Sequence, residues 1–453
     1  MSAQGAAPFH IEGFSADPGT GAVALRYSFA ATAASPQPSR FTERIQLPPT
    51  PAGARVSSGF DAAARILLLL AGVSYFKSQA PTTIVVEVAT TMAERTLTEA
   101  VYDHGLREFA YTNDLPIPLP IRFQWSGGLV QDARPSASID EIGRPLVPFG
   151  GGKDSTVVLS LLPEATPLTI NGTTTHATVA HVLGHQLLSV TRKLDRLDEL
   201  TSPNRLNGHI PITAIVSSIS VLLAAAASYT SVVMANEAAA SEPTLWSGPE
   251  PVNHQWSKGA DFEALFVAAL AAAGIEIRYF SLLRQIGEPE IIALLARQTA
   301  ALPHLISCNR AFSGRTAGGE NEAPQRWCGE CPKCLFTFLL LATELPPDVL
   351  VPIFGSDLLN RPQLADGFAA LWSEQKPFEC VGERTDAATA LSSLANDPHW
   401  STRLLVQELA LSAQHALSVP DPTPRRTSST PPPPPVPAPF AARLNAALGA
   451  LGV

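Results

Sequence analysis

The sequence of 453 residues has little charge and no excess of basic residues. Asp, Glu, Lys and Arg make up only 16% of the chain, and 31 basic against 40 acidic residues leave a formal net charge of −9. A protein that coats nucleic acid needs a basic face, so this balance argues against a nucleic-acid partner. It is compatible with a small basic pocket, and a hydrophobic content of 45% is enough for the cores of two or three domains.

Signals for secretion or membrane insertion are also lacking. The first residues, MSAQGAAPFHIEGF, contain neither a basic segment nor an apolar run. A stretch without charged residues between Arg205 and Glu237 raises a membrane-spanning helix as an alternative. This stretch contains several Ser and Thr, a Pro and a His, and it divides into the pattern of a buried helix at Ile212–Ala227 and of a buried strand at Ser231–Ala235. We therefore expect a soluble cytoplasmic protein without a membrane partner.

The chain has only five cysteines, too few for a disulfide scaffold, and four of them lie in one segment. Cys328, Cys331 and Cys334 follow one another at two-residue spacing, with Cys308 upstream, and four such thiolates can close a tetrahedral metal site. Zinc is favoured over an iron–sulfur cluster because no redox motif accompanies the cysteines. All four positions are filled, so the metal is predicted to be structural and to pin the loop Asn309–Trp327. The alternative is four unrelated buried thiols.

The patterns along the chain predict four regions. An α+β N-terminal domain is expected at 1–140, with the hairpin FHIEGFSADPGTGAVALRYSF, a buried helix at Ala62–Phe76 and a strand TTIVVEVA. Alternating strand and helix patterns then predict an α/β domain with a parallel sheet at 141–345. A helical region is expected at 346–420, followed by a proline-rich, disordered arm and a helix-prone tail at 421–453. The tail is interpreted as dispensable, or alternatively as a peptide that docks onto a partner.

One short stretch, PLVPFGGGKDSTVVLSLL, has the form of a strand that ends in glycines before a helix. Its spacing excludes both the Walker motif and the dinucleotide motif. It resembles the pyrophosphate loop, Ser-Gly-Gly-x-Asp-Ser, of ATP pyrophosphatases that form AMP, with Gly150 in place of the first Ser. Glycine amides and a helix N-terminus suit phosphates, Lys153 suits their charge, and Asp154 suits Mg²⁺. The alternative is an ordinary glycine-rich turn. The predicted ATP-binding residues are Gly150, Gly151, Gly152, Lys153, Asp154, Ser155, Thr156 and Asn171.

Polar residues follow several of the predicted parallel strands, where ligands of such sheets bind. The strand ends at Asn171, Arg192, Asn236, Glu237 and Ser281 are expected on one rim. The loops LNGHIPIT, ANEAAAS and VNHQWSKGADFE are each typical of a capped turn when taken singly, but together they favour a site. The predicted substrate-binding residues, two of them from the loop between the cysteines, are Arg192, Asn207, Asn236, Asn253, Arg310 and Arg315.

Several of these motifs together resemble one family, the bacterial UDP-N-acetylmuramoyl-L-alanyl-L-glutamate epimerases. The resemblance lies in FGGGKDS, LNGHIPIT, NEAAAS, VNHQWSK, WCGECPKC and KPFECVGE, spread over roughly residues 145–385, and more loosely in HGLREFAY at 104–111. It implies an adenine-nucleotide-hydrolase-like fold and an ATP-dependent inversion of the terminal L-Glu to D-Glu, with release of AMP and pyrophosphate, in peptidoglycan precursor synthesis. The implied ligands are ATP, Mg²⁺, structural Zn²⁺ and a muramoyl dipeptide nucleotide.

Inversion of the glutamate requires a base and an acid. The α-proton of a carboxylate is very weakly acidic, and adenylation makes it removable because it neutralises the carboxylate. With four cysteines in a metal site, only Cys380 remains, so at least one of the two groups is another residue type. Carboxylates beside Cys380 would raise the pKa of its thiol, which leaves a buried structural cysteine as an equal alternative. The candidate acid/base residues are Cys380, His209, His254, Lys258 and Glu237.

Two other functions compete with this interpretation. The first is another zinc-bearing, AMP-forming pyrophosphate-loop enzyme, such as a deazaguanine nitrile synthase or a tRNA-modifying ligase. Thiolation needs free catalytic cysteines and tRNA needs a basic surface, and the sequence has neither. The second is a nucleotide-sensing module that binds ATP without releasing pyrophosphate. The density of polar strand ends disfavours it.

Overall fold

A computed structural model describes residues 7–31, 37–50, 55–133, 141–203, 205–305, 307–308, 326–373, 381–419, 432–433 and 435–452. The strands are β1 Phe9–Asp17, β2 Ala22–Phe29, β3 Ser39–Gln46, β4 Thr83–Val86, β5 Arg122–Trp125, β6 Pro145–Pro148, β7 Thr166–Ile170, β8 Leu188–Lys193, β9 Ser231–Met234, β10 Leu245–Ser247, β11 Glu250–Val252 and β12 Arg278–Ser281. The helices are α1 Phe60–Ala71, α2 Val73–Phe76, α3 Met92–Asp103, α4 Arg107–Thr112, α5 Lys153–Leu161, α6 Thr174–Val182, α7 Leu197–Leu200, α8 Ile212–Ala226, α9 Ala260–Ala272, α10 Glu288–Ala296, α11 Pro332–Ala342, α12 Pro347–Phe354, α13 Ala365–Ala369, α14 Arg384–Leu394, α15 Leu404–Ser418 and α16 Ala438–Gly449.

Ten strands form one sheet in the order β12-β9-β6-β7-β8-β3-β2-β1-β4-β5, and β10 and β11 form a separate hairpin. The strands from β12 to β8 are parallel, as are β1, β4 and β5, whereas β2 and β3 pair antiparallel to their neighbours. The sheet is therefore mixed and mostly parallel, as expected for an α/β protein. It passes across residue 140 without a break because β3 pairs with β8, with Ile45 opposite Arg192. The domain boundary at 140 stays a prediction.

The strand order determines where a ligand can bind. Strands β7 and β8 follow β6 in the chain and lie on one side of it in the sheet, whereas β9 and β12 lie on its other side. The connections that leave β6 and β9 thus diverge, and a crevice forms outside the carboxyl ends of such neighbouring parallel strands. The three glycines follow directly after β6. The fold therefore places the glycine loop at the topological switch point.

Local sequence explains most of these elements. Strands β1 and β2 alternate between buried and accessible side chains, which is the period of a strand with one face on the core. The helix predicted at Ala62–Phe76 begins at Phe60 and is divided into α1 and α2 around Gly72. A Cβ at Gly72 would lie 2.5 Å from the Tyr102 hydroxyl, so the close approach of α3 requires a glycine there.

The uncharged stretch forms a buried helix, α8, and a buried strand, β9, as predicted. Helix α8 has 15 residues, fewer than the ~20 that a bilayer crossing needs. Among the residues described, no helix is both long and apolar enough to cross a membrane.

Two hydrophobic cores pack against the sheet, and each includes residues of its strands. The first joins β1–β4 with α1, α3, α8 and α9, and the second joins α5 and α10 with the cysteine segment and the helices α11–α16. Helices α12–α15 lie in the stretch 346–420, where the pattern predicts a helical region. The proline-rich arm at 420–431 is outside the described residues, but the tail after it forms α16.

Helix α16 packs on its own chain. Phe440 is fully buried with its ring centroid 4.9 Å from that of Phe280, and Arg443 binds Glu164 at 2.7 Å. The helix contacts both α5 and α10. The tail is therefore part of the second core, where it packs against α10 and against α5, the helix that follows the glycine loop.

Candidate functional site

The glycine loop runs from β6 into the N-terminus of α5. Gly151 has a φ of +70°, a left-handed conformation that favours glycine. A Cβ at Gly150 would meet nothing within 4 Å, so this position, where the pyrophosphate-loop pattern has Ser, has room for a side chain. Thr156 Oγ1 is buried without a hydrogen-bond partner in the part of the chain that the structure describes. The loop thus combines glycines, the first turn of a helix and an unused hydroxyl, which are groups that bind phosphate.

Lys153 is the first residue of α5, and its side chain is only 3% exposed. Its Nζ donates to Asp154 Oδ1 and, at 2.8 Å, to Glu288 Oε1. Burial alone would lower the pKa of Lys153, but the negative charges of Asp154, Glu288 and Glu237 outweigh it and raise the pKa above its usual value. Lys153 therefore stays protonated, as a residue that meets phosphate must. We call Gly150–Thr156 with Glu237 and Glu288 the loop cluster.

Glu288 is the residue of the loop cluster that sequence reasoning missed. It begins α10 and is 2% exposed. Burial raises the pKa of Glu288 above its usual value, the charges of Asp154 and Glu237 raise it further, and the ion pair with Lys153 opposes them. The only local signal was an acidic residue at a helix start, GEPE, which is ordinary in helices. His176 was missed as well, and its Cδ2 lies 3.5 Å from where a Cβ on Gly151 would be.

The described part of the segment KPFECVGE, residues 381–383, lies beside Glu288 of the loop cluster. A Cβ at Gly382 would lie 2.5 Å from Glu288 Cγ, 2.7 Å from Phe336 Cζ and 2.8 Å from Asp386 Oδ2. Gly382 therefore packs directly against the side-chain methylene of Glu288, whose carboxylate holds Lys153. Cys380, predicted as an acid/base candidate two residues earlier, lies outside the described residues.

A buried polar network joins β9 and β12. Asn236 Nδ2 donates to Ser281 Oγ at 3.1 Å, and the Ser281 backbone N–H donates to Glu263 Oε1 at 3.1 Å. Arg284 donates to Glu263 Oε2 at 2.9 Å, and also to the backbone carbonyls of Glu237, at 2.9 Å, and of Lys258. Arg284 thus connects the loop cluster, through Glu237, with a second group of polar residues around Lys258.

That second group lies where α4 meets the loops before α8 and after β11. We call Glu108, His209, His254 and Lys258 the histidine cluster. The ring centroids of His209 and His254 are 6.0 Å apart, and His254 Nδ1 lies 2.7 Å from Thr244 Oγ1. Burial lowers the pKa of His209 to about 4, with contributions from the charges of His254 and Lys258. The structure thus brings together the predicted candidates from LNGHIPIT and VNHQWSK, and Glu108 is a member that sequence reasoning missed.

The other predicted site residues that the structure describes bind protein groups. Asn171 pairs with the backbone of Arg192 in both directions at 2.8 Å, and the Arg192 side chain binds Glu43 at 2.7 Å in the first core. Asn207 Oδ1 accepts from Lys77 Nζ at 2.6 Å, and Asn253 Nδ2 donates to the carbonyl of Ala240 at 2.9 Å. Arg310 and Arg315 lie outside the described residues.

The four predicted metal-binding cysteines meet in space. All four Sγ atoms lie within 4.8 Å of one another, although the chain separates Cys308 from the other three. The Sγ–Sγ distance is 3.9 Å from Cys308 to Cys331, 3.7 Å from Cys328 to Cys334 and 3.5 Å from Cys331 to Cys334. A tetrahedron with zinc–sulfur bonds of about 2.3 Å has edges of about 3.8 Å. The cluster therefore has the composition and size of a site for one tetrahedral metal ion.

Comparisons with known proteins bear on the family of this chain. A family model described as the MurL N-terminal domain matches residues 1–282, and one described as the MurL C-terminal domain matches residues 304–422. Similar proteins from a Micromonospora species and from Salinispora tropica are 41% and 39% identical over 82% of this chain, and cover 83% and 81% of their own lengths. A third, from Xanthomonas oryzae, is 37% identical over 89% of both chains. All three are named UDP-N-acetyl-alpha-D-muramoyl-L-alanyl-L-glutamate epimerase. With models of both its halves matched, this chain belongs to the MurL family.

Proposed function

We propose that this chain inverts the terminal L-glutamate of UDP-N-acetylmuramoyl-L-alanyl-L-glutamate to D-glutamate and cleaves ATP to AMP and pyrophosphate. The names of the relatives and the family membership support the epimerisation. The observation that carries the use of ATP is Lys153, buried and charged at the start of α5, directly after three glycines at the switch point of the sheet. A phosphate chain is the ligand that suits these groups best.

Magnesium suits the same cluster. Three carboxylates, of Asp154, Glu237 and Glu288, act on the charge of Lys153. Without a further cation they would repel a triphosphate, and carboxylate oxygens are the ligands that Mg²⁺ prefers. Asp154, whose side chain is 30% exposed, is the residue we assign to Mg²⁺. The ion would supply charge neutralisation for the leaving pyrophosphate.

Zinc suits the four cysteines because their spacing is that of a closed tetrahedral site. Such a site leaves no position for a reacting water, so its role is structural. It holds the start of α11 in the second core, next to α10 and hence next to Glu288.

The chemistry follows from the acidity of the substrate. Transfer of AMP to the glutamate α-carboxylate neutralises its charge, so the electrons of the α-carbon–hydrogen bond can move into the carbonyl group. A base removes the proton on one face, an acid returns a proton on the other, and water then releases AMP. The balance is substrate, ATP and water in, and epimer, AMP and pyrophosphate out. His209 and His254 are the assigned pair, because imidazole is the side chain that most often serves in general acid–base catalysis and their rings lie together.

The remaining predicted residues have supporting parts. Lys258 acts on the charge of His209, and Glu237 acts on the charge of Lys153. Asn171, Arg192, Asn207, Asn236 and Asn253 have the supporting hydrogen bonds described above. Cys380 stays a candidate acid/base residue, and Arg310 and Arg315 stay candidates for substrate contact, on sequence grounds.

The test is direct. The protein is incubated with ATP, Mg²⁺ and UDP-N-acetylmuramoyl-L-alanyl-L-glutamate, the dipeptide is hydrolysed, and its glutamate is resolved by chiral chromatography while AMP and pyrophosphate are measured. We expect D-glutamate together with AMP and pyrophosphate. Glutamate that stays entirely in the L form would overturn the proposed function. D-glutamate without nucleotide cleavage would overturn only the adenylation step.

A further inference from the structure

Glu108 lies on α4, and its carboxylate accepts fewer hydrogen bonds than it has capacity for. The carboxyl group accepts a hydrogen bond from the backbone N–H of His209, and burial raises its pKa above the usual value. Its Oε2 is buried and has no hydrogen-bond partner among the described residues. A buried carboxylate oxygen without a donor costs free energy, so a native protein keeps one where it serves a purpose.

Of the positive groups near Glu108, one is already paired with other carboxylates. Its carboxylate interacts electrostatically with His254, and Arg107, the neighbour of Glu108 on α4, is already bound by Asp103 at 3.1 Å and by Glu250 at 2.9 Å. The charge of Glu108 therefore acts on His254 rather than on Arg107. A negative charge favours the imidazolium form of a nearby histidine.

His209 has the opposite surroundings. His209 is half-buried, and burial and the positive charges of His254, Lys258 and Lys77 disfavour a proton on its ring; they outweigh a hydrogen bond with the backbone of His254 that favours one. His209 is therefore neutral near pH 7. Two titratable groups whose surroundings favour opposite protonation states are the arrangement that separates a base from an acid.

From this asymmetry we infer that Glu108 is a positioning residue of the inversion: it holds His254 as the protonated acid beside His209 as the neutral base. The inference rests on the proposed function. In the L-to-D direction, the α-proton of the adenylated glutamate moves to His209, and the electron pair of the broken carbon–hydrogen bond moves into the carbonyl group. The carbon then takes a proton from His254 on the opposite face. His209 releases its proton to solvent and His254 regains one, so the pair returns to its starting state.

The variant E108Q tests this role. It keeps the size and an acceptor for the His209 amide but removes the charge that supports the proton on His254. Reactions are run in deuterium oxide with the L substrate, and deuterium at the α-carbon is measured separately in recovered L substrate and in D product. We expect the ratio of inversion to exchange to fall at least tenfold, because His209 still removes and returns a proton on its own face. We also expect the alkaline limb of the kcat–pH profile to move to lower pH.

Controls separate the possible failures. ATP–pyrophosphate exchange that depends on the substrate reports adenylation, and it is expected to remain in E108Q; its absence from the wild-type protein would contradict the proposed function instead. E108D keeps the charge but draws it back from His254 by one methylene, so it is expected to recover part of the ratio and to displace the alkaline limb less far than E108Q does. E344Q, which removes an exposed carboxylate outside the cluster, is expected to behave as wild type. If E108Q unfolds, a displaced alkaline limb in E108D supports the inference. A wild-type ratio and profile in folded E108Q, or an unchanged limb in E108D where E108Q unfolds, overturns it.

Discussion

The loop cluster and the histidine cluster distribute charge in opposite ways. In the loop cluster one buried lysine faces three carboxylates, whereas in the histidine cluster one carboxylate faces two imidazoles and a lysine. The first arrangement keeps a permanent charge in place, as the binding of phosphate and metal demands. The second gives two neighbouring imidazoles different surroundings, so that their protonation states can differ, as proton transfer demands. The two tasks of the proposed adenylating epimerase thus need two electrostatic environments, and Arg284 connects them.

The largest effect is expected from K153M, which removes the cation of the loop cluster. Substrate-dependent ATP–pyrophosphate exchange should fall by about 100-fold or more, the usual loss when a preorganised donor to developing charge is removed. Isotope exchange between labelled pyrophosphate and ATP measures it.

The matched control is K193M, at an exposed position of β8, where exchange should stay close to wild type. The melting temperature of K153M should fall, because Glu288 loses its partner, and K153M/E288Q should recover stability without activity. Exchange at the wild-type level in K153M would remove the lysine from the proposed site.

The second effect concerns the core beneath the loop cluster. C331S should abolish binding of one zinc ion per chain and lower the melting temperature by more than about 10 °C, because a structural metal contributes to folding directly. Metal content by mass spectrometry and thermal unfolding are the measurements. C380S is the control and should keep the metal. Absence of zinc from wild-type protein purified without chelators would contradict the assignment.

The third effect is a pH dependence of folding stability that arises in the histidine cluster. The pKa of His209 is lowered from 6.5 to about 4 in the folded protein, so below pH 6.5 the unfolded chain binds a proton that the folded chain refuses. Stability is therefore present above pH 6.5 and is lost as the pH falls toward 4, by on the order of 3 kcal/mol. H209Q should lose less stability over this range in urea unfolding. Equal losses in the two proteins would show that His209 does not titrate as described.

A smaller effect should connect the loop cluster with the segment before α14. G382A places a methyl group against Glu288 Cγ and should displace that carboxylate, which raises the KM for ATP several-fold by moving Lys153. Steady-state kinetics with saturating dipeptide substrate measure it. G449A, where nothing lies within 4 Å of an added Cβ, is the control. A KM change of the same size in both variants would argue against a specific contact.

The smallest effect belongs to Gly150. G150S restores the serine of the pyrophosphate-loop pattern in open space and should leave the KM for ATP unchanged or lower it by about twofold, the contribution of one exposed hydrogen bond. G151A, at a φ of +70°, should instead weaken ATP binding because alanine is strained there. The comparison is made by ATP titration. A greater loss in G150S than in G151A would show that the loop geometry differs from that described.

Much of the fold was accessible from local pattern. The alternation of β1 and β2 and the apolar helix α8 depend on side-chain period, which is a property of neighbours in the chain. The family was also predicted from motifs, and the comparisons confirm both the family and the epimerase function. The meeting of the four cysteines was predicted from spacing and is confirmed in the geometry of their sulfur atoms. The continuous sheet through β3 and β8 was not predicted, because strand pairing across 150 residues leaves no local trace.

By itself, then, the sequence determined the glycine loop, the thiolate set and the histidines, because each is a chemical group at a recognisable spacing. Only the tertiary structure decided their protonation and partners. Glu288 faces Lys153 across 135 residues, Gly382 closes on Glu288, and Glu108 lies between two histidines from distant loops. Charge and burial act through space over a few ångströms, whatever the separation along the chain, so the electrostatic difference between the two clusters exists only in the folded protein.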